Sequence, residues 1–455
     1  MLPDDLHLEI FGFCVHKYQS TKLEIEAWQS LVHVCRRWRS VVFGSPRRLK
    51  LRLVCTDKTP VREALDVWPP LPLVIRSSLT VRVDNVVAAL ERRDRVGAID
   101  LFNVNSSPLE NVLETMQEPF PELTFLALSS YGGTLPVLPD SFLRGSAPRL
   151  RVLILAGIPF PGVPKLLLSA THLLFLHLLS IPHSGYISPE VMATALSTLT
   201  SLQSLILQFQ SPRSLPDLES RRRLSSPRSV LPLLRHFFFK GNCEYLDDLV
   251  ARIDAPRLHD LSITLFNDTV FDIPQFIQFI TCPPTLKSLG TAHVVFDEFA
   301  ARVNFLSQPS GNGSLQMEIF CNEMDRQILF LRQVCSSFLP PLSTSENLYI
   351  YRHRFSHPHR QDNIENTLWL GILHPFTAVK NLYLCKEFAP RIVSALEELV
   401  GGRTTEVLPT LQNVFLEELQ PSGPDHEGIG KLVAARELSG HPITVSHWER
   451  DPEKG

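Results

Sequence analysis

Three imidazoles fall within one short stretch, His353-x-x-x-His357-x-His359, a spacing that could offer nitrogen ligands to a transition metal. No Cys, Asp or Glu lies inside the cluster and Pro358 interrupts it, so the expectation is a solvated loop. His172 and His177 sit among leucines and read as satisfied histidines beside a core. The 8 cysteines (Cys14, Cys35, Cys55, Cys243, Cys282, Cys321, Cys335 and Cys385) are scattered, with neither the pairing of a zinc knuckle nor the density of a disulfide framework, which fits a reducing compartment. No HExxH, GxSxG or phosphate-loop lysine motif occurs, and Gly428-Ile429-Gly430 lacks both the third glycine and the preceding strand of a dinucleotide fold. The expectation is a protein with no catalytic residues, no cofactor and no metal.

Positioning such side chains requires a fold, and the composition permits one. Of 455 residues, 44% are hydrophobic and 20% charged, far from the signature of disorder. The 44 basic and 47 acidic residues leave a net charge of −3, which argues against a general footprint for nucleic acid or anionic membrane. The most apolar stretch, Leu166 to Ile181, is shorter than the ~20 residues of a span and carries two histidines. The opening residues lack a basic segment, apolar run and cleavage site, so a cytoplasmic and/or nuclear protein is expected, with the sequons at Asn105, Asn267 and Asn312 unused.

An apolar-x-x-apolar-x-apolar pattern recurs down the chain, starting at Val96, Leu123, Leu150, Leu173, Leu202, Leu234, Leu258, Val379 and Leu411, mostly at steps of roughly 23 to 32 residues. An incomplete copy at Leu286 leaves an interval to Val379 that divides into three similar steps, with strand-like Leu315 to Ile319 and Leu348 to Ile350 at the expected places, so the array is expected to be continuous. Alternation within each copy predicts a short strand with one face buried, and the intervening segments read as helices. Ser107-Pro108 would open Leu109 to Gln117, Asp247-Asp248 would open Leu249 to Ile253, and Ala389-Pro390 would open Arg391 to Val400. The earliest strands are placed at Leu49 to Leu53 and Leu71 to Ile75 with a helix from Val61 to Trp68, and the last elements are a helix at Lys431 to Leu438, a cap at Gly440 and a strand at Ile443 to Trp448. A strand and helix per unit cannot bury a core alone, but stacked units can share one. These copies resemble leucine-rich repeats, although Tyr131, Ile158, Ile181, Phe266 and Leu419 stand where that family has Asn or Cys, so no regular asparagine ladder is expected. A doubly wound sheet is the alternative; repetition over so long a stretch favours the solenoid.

Ahead of the array, Leu2, Leu6, Ile10 and Phe13 form a helical stripe behind Pro3, and Trp28, Leu31, Val32, Val34 and Cys35 run into Arg36-Arg37-Trp38-Arg39 before Ser45-Pro46 stops the pattern. Leu2-Pro3-x-x-Leu6 with Ile10-Phe11, and Leu31 to Arg39, resemble the opening and closing signatures of the F-box family. Together with the segment up to Ile75 and the C-terminal ending, the chain resembles the large F-box group of mushroom-forming fungi. The resemblance implies a three-helix module in which Leu2, Pro3, Leu6, Ile10, Leu31, Val34, Cys35 and Trp38 serve the module and its contact with the Skp-type adaptor of cullin ligases.

The fold class expected is therefore α/β: an F-box over residues 1–48, a leucine-rich-repeat-like solenoid of strand plus helix per unit over 49–450, and a tail at 451–455. In such a solenoid the non-leucine strand positions line one face, including Phe125, Ile154, Phe175, Ile206, His236, Phe238, Asp260, Tyr383 and Phe415, an apolar and aromatic stripe suited to a protein target. Coverage of that face by C-terminal or loop residues is an equal expectation. The function expected is a non-catalytic ubiquitin-ligase subunit that brings a target protein to the adaptor and cullin. The alternatives are a scaffold without ligase activity and a metal-dependent enzyme built on the histidine loop. An arginine-rich interruption at Ser211 to Ser229 reads as an exposed insertion in which Ser225 and Ser226 could be phosphorylated.

Overall fold

A computed structural model describes residues 3–17, 27–56, 60–78, 83–103, 106–130, 137–212, 228–266, 273–287, 289–307, 313–337, 342–353, 365–399, 403, 405–417 and 424–450. It divides into two compact units, one of residues 1–187, 194–202 and 213–217, the other of 188–193, 203–212 and 218–455.

The first unit opens with α1 (Asp4–Lys17), α2 (Ala27–Val34) and α3 (Arg36–Gly44). Asp4 and Asp5 sit in the first turn of α1, where negative charge favours the helix dipole. Cys35 is extended (φ −159°, ψ 167°) and breaks the apolar run into two helices, its sulfur accepting the Trp38 backbone N–H at 3.4 Å. Arg37 pairs with Asp4 at 2.9 Å, and Arg48 with Asp5 and Glu9 at 3.0 and 2.6 Å, tying α1 down at both flanks. Fully buried Trp28 donates from Nε1 to Arg52 O at 2.9 Å and meets Phe43 and Trp68 edge-on. It therefore joins the helical module to the first strand without a linker.

Strands β1 (Leu53–Cys55), β2 (Leu73–Ser77), β3 (Val96–Leu101), β4 (Phe125–Ser129), β5 (Val152–Ala156) and β6 (Phe175–Ile181) then pair in parallel and in chain order. The connections carry α4 (Val61–Val67), α5 (Asp84–Leu90), α6 (Ser106–Thr115) and α7 (Val163–Leu167). Parallel neighbours need such crossovers, which is why helix and strand alternate. The strand expected at Leu49 to Leu53 forms later: Lys50 adopts φ +50° and Leu51 N bonds back to Pro46 O at 2.9 Å, so α3 ends in a turn. The next strand likewise begins at Leu73, after Pro72.

In the second unit, after α8 (Pro189–Leu196), which the division cuts, β7 (Ser204–Phe209), β9 (His236–Gly241) and β11 (Asp260–Leu265) continue the pattern. β8 (Ser229–Val230) and β10 (Ile253–Asp254) form a separate short pair. Asp247 does not open a helix. α9 runs over Cys243–Val250 with Asn242 as its cap, and Asp247 Oδ1 instead accepts the Gln275 and Phe276 N–H groups at 2.9 and 3.1 Å, capping the following helix α10 (Pro274–Thr281). An acid in mid-helix thus stitches one repeat to the next.

The array is not continuous. β12 (Leu289–Phe296) and β13 (Ala300–Ser307) are antiparallel, β13 and β14 (Ser314–Phe320) are antiparallel, and the spatial order is β11-β14-β13-β12-β15, with β15 at Asn347–Arg352. Only Asp297-Glu298-Phe299 joins β12 to β13, too short for the dozen or so residues of a parallel crossover, so the chain folds back. Register also moves the copy expected at Leu286, which lies in a 3₁₀ turn: Ala292 and Val294 pair with Leu348 and Ile350, making Leu289 the first position. In β15 that first position is Ser345, fully buried, whose Oγ donates to Leu289 O at 3.1 Å.

α11 (Met324–Ser337) covers this hairpin and returns the chain to β15; β16 (Asn381–Leu384), β17 (Asn413–Leu416) and β18 (Thr444–His447) then resume parallel pairing. α12 (Asn366–Leu373), α13 (Ala389–Glu397) and α14 (Pro424–Leu438) alternate with them, and Gly440 at φ +80° closes the last helix as expected. Throughout, the leucine-pattern side chains are buried, among them Leu126, Leu153, Leu205, Phe237, Leu261, Leu382 and Leu416, each stabilising by about 1.5–3 kcal/mol.

A buried amide also anchors the hairpin. Buried Gln327 of α11 donates from Nε2 to Asp297 O at 3.1 Å and to Cys321 O at 2.6 Å, holding the turn after β12 to the end of β14. Gln327→Leu should remove both of these buried hydrogen bonds and cost about 1–3 kcal/mol, read as a lowered urea midpoint for the second unit. An unchanged midpoint would show that the anchor is dispensable.

Candidate functional site

Two surfaces among the described residues are singled out by position, and each follows from strand or helix periodicity. On α1, Leu8 and Phe11 face inward, with the Phe11 ring 4.8 Å from that of Trp38 at a tilt of 58°. Leu6, Ile10 and Phe13, spaced by four and three residues, fall on the other face and are 49, 48 and 76% exposed. Val34, at the end of α2, is 60% exposed. Of the residues assigned to the adaptor contact, Leu6, Ile10, Val34, Pro3 and Cys35 are thus accessible, Leu31 and Trp38 are partly buried, and Leu2 lies outside the described residues. Trp38 is largely a packing residue. Phe13 belongs with the accessible set.

The second surface is the open face of the second unit's strands. Register aligns Ser204, His236, Asp260 and Ser314 in one row and Ile206, Phe238, Ser262 and Gln316 in the next. Together they line a shallow hollow of about 160 Å³. Four residues expected to bind a target, Ile206, His236, Phe238 and Asp260, meet here. The four polar residues Ser204, Ser262, Ser314 and Gln316 were missed, because only the register shows them to be neighbours. His236 Nδ1 pairs with Asp260 Oδ2 at 2.8 Å, and Ser314 Oγ donates to Asp260 Oδ1 at 2.7 Å. His, Asp and Ser are the residue types of a hydrolase, but the order is wrong. Asp260 stands between them, so His236 and Ser314 are two strand spacings, about 9.5 Å, apart and the serine has no base. The arrangement offers an acceptor and an apolar floor.

Farther along that face, His293, Tyr349, Tyr383 and Phe415 stack in sequence, with centroids 4.5, 4.1 and 4.4 Å apart and planes within 8°. Beside them runs an amide ladder: Asn381 Nδ2 donates to Asn347 Oδ1 and Asn413 Nδ2 to Asn381 Oδ1, both at 2.8 Å, and Thr444 Oγ1 ends it on Asn413 Oδ1 at 2.5 Å. An asparagine ladder does exist, then, on the strand face and away from the position where the repeat family carries one. Tyr383 and Phe415, expected to bind a target, are rungs of the aromatic stack. Its edge is covered by the C-terminal segment: Trp448 meets Tyr349 and Tyr383 edge-on, and Arg450 lies 4.1 Å over Tyr351.

In the first unit Phe125 and Phe175 share a row with Val152 between them, and Ile154 pairs with His177 in the next row. All are half-buried. His177 lies near Phe175, and burial lowers its pKa, whereas His172 is exposed in the turn before β6 and is no core histidine. Among the described residues, one group could hold a metal: Cys385, Glu387 and Glu417, whose donor atoms lie within 4.8 Å. It was missed because Cys385 and Glu417 follow the paired ends of β16 and β17. Burial, reinforced by Glu387, pushes the Cys385 thiol up to about 12, and burial alone does the same to Cys335, so neither is a ready nucleophile. His353 is half-buried; His357, His359, Ser225 and Ser226 lie outside the described residues. No helix among the described residues is long and apolar enough to cross a membrane.

No family model matches the chain, and no curated protein matches it. Among solved structures, the leucine-rich repeat-containing protein LegL7 from Legionella pneumophila is similar over 87% of this chain and 99% of that one, at 13% identity and a TM-score of 0.30. That likeness is too loose to carry a functional inference, and the repeat description rests on the strand register and the buried leucine positions.

Burial, with the Tyr383 phenol beside it, pushes the Tyr349 phenol from its ordinary 10.0 up to about 12. The folded chain holds this proton more tightly than the unfolded chain, so stability contributed here is intact below pH 10.0 and declines as pH rises toward about 12. Urea midpoints measured across that window should fall less steeply for Tyr349→Phe than for wild type. Equal slopes would contradict the assignment.

Proposed function

We propose that the chain is the target-recognition subunit of a ubiquitin ligase of the Skp–cullin–F-box type, not itself an enzyme. In this reading α1 to α3 form the F-box, and Leu6, Ile10 and Phe13, joined by Val34, dock a Skp-type adaptor that brings a cullin. The observation that carries the reading is the exposed apolar stripe on a helix whose opposite face is already buried. Apolar side chains spaced one helical turn apart, with no covering element among the described residues, are what a partner helix or groove takes up. The ion pairs from Arg37 and Arg48 would keep α1 presented in one orientation. The hollow around Phe238 and Asp260 would hold the target, its apolar floor supplying area and Asp260 an acceptor. The chain would then supply proximity, with ubiquitin transfer performed elsewhere in the complex.

Co-expression with a Skp-type adaptor and cullin tests this. Wild type should purify with both partners. Leu6→Asp, at an exposed position, should stay folded and lose the adaptor by roughly tenfold or more. Phe238→Asp should keep the adaptor. Wild type that purifies alone would overturn the reading, and capture of the adaptor without cullin would make the chain a scaffold instead.

A further inference from the structure

In the second unit the chain's own Trp448 and Arg450 cover a row of aromatic side chains. Strands β12, β15, β16 and β17 place His293, Tyr349, Tyr383 and Phe415 in one stack. Rings stacked face to face use their faces on one another and leave electropositive edges outward, a surface that favours the face of a further aromatic group. Trp448 occupies that position, 5.9 Å from Tyr349 and 5.4 Å from Tyr383 with interplanar angles of 67° and 74°. Its Nε1 donates to Leu384 O at 3.3 Å. Two residues on, the Arg450 guanidinium lies over Tyr351 and donates to Arg352 O at 2.7 Å, while Glu449 between them points to solvent. Tyr351 Oη lies 3.3 Å from His293 Nδ1, so the arginine subsite adjoins the first rung of the stack.

Alternate residues facing down, one aromatic and one cationic, are the contacts of an extended peptide on a sheet surface. Trp448 N–H bonds to Leu416 O at 3.1 Å, the side chains of Trp448 and Arg450 make the ring and carbonyl contacts beyond it, and both residues are half-buried. Contacts of this kind, made by half-buried side chains, belong to the part of a fold that opens locally at low cost.

We propose that the aromatic stack with Tyr351 is a binding site for an extended Trp-x-Arg peptide, closed in cis by Trp448 and Arg450. Opening it extends the recognition face along the row that begins at Ile206 and Phe238 and passes through His293 to Phe415. The inference stands apart from the adaptor reading and needs neither adaptor nor cullin.

The test uses a fluorescein-labelled peptide with the sequence of residues 446–455, followed by anisotropy, against three proteins: the full chain, the chain ending at His447, and the full chain with Trp448→Ala and Arg450→Ala. The full chain should not bind. The shortened chain should bind saturably, and peptides carrying the Trp448→Ala or Arg450→Ala change should bind it roughly tenfold more weakly each. The double variant keeps β18 and the native circular dichroism, so it decides the matter if the shortened chain does not fold; it should bind the peptide where wild type does not. Absence of binding to the folded double variant, or binding to wild type of equal strength, overturns the proposal.

Discussion

Everything in this molecule depends on a shared core. A short strand with leucine-type residues on one face and a helix of seven or eight residues behind it has too little apolar surface to fold alone, so each repeat is stable only against its neighbours. The parallel register is the physical form of that dependence: Leu205 lies beside Phe237, and Phe237 beside Leu261. Once the inward face is committed to packing, the other face has fixed neighbours too. Chemistry on the open face is therefore decided by which residues register brings side by side.

That constraint explains both surfaces of the second unit. A carboxylate between an imidazole and a hydroxyl is a structural cluster, since the sheet spaces its members too far apart to pass a proton from serine to histidine. Three asparagines and three aromatic rings at equal positions in successive strands become ladders because parallel pairing repeats each side chain beside its equivalent. The antiparallel hairpin of β12 and β13 interrupts the repeats without breaking the rows, because it adds strands to the same sheet, and His293 on β12 thereby becomes the first rung.

Much of this was legible in the sequence. The leucine pattern located nearly every strand, since period-two burial leaves a strong trace, and the helical stripe of α1 was visible at Leu6, Ile10 and Phe13. What the pattern could not show was which face of α1 is inward: the helix is apolar on both sides, and Phe11 rather than Ile10 meets Trp38. The hairpin was missed because Leu315 and Leu348 fell at intervals that a continuous array would also produce. The brevity of Asp297-Glu298-Phe299 between two alternating runs was the available signal. The ladders also had one, in the recurrence of Asn347-Leu348-Tyr349, Asn381-Leu382-Tyr383 and Asn413-Val414-Phe415. Asp247 as the cap of a neighbouring helix, and Cys385 beside Glu417, left no local trace, because both join residues far apart in the chain.

The proposed role divides the molecule into a presented helix and a recognition face, and the two should respond to different partners. Hydrogen exchange on the purified chain, with and without a Skp-type adaptor, measures that division directly. The account predicts slowed exchange confined to residues 4–13 and 31–38, with the strands around His236, Phe238 and Asp260 unchanged. Slowed exchange centred on those strands, or none in α1, would contradict it.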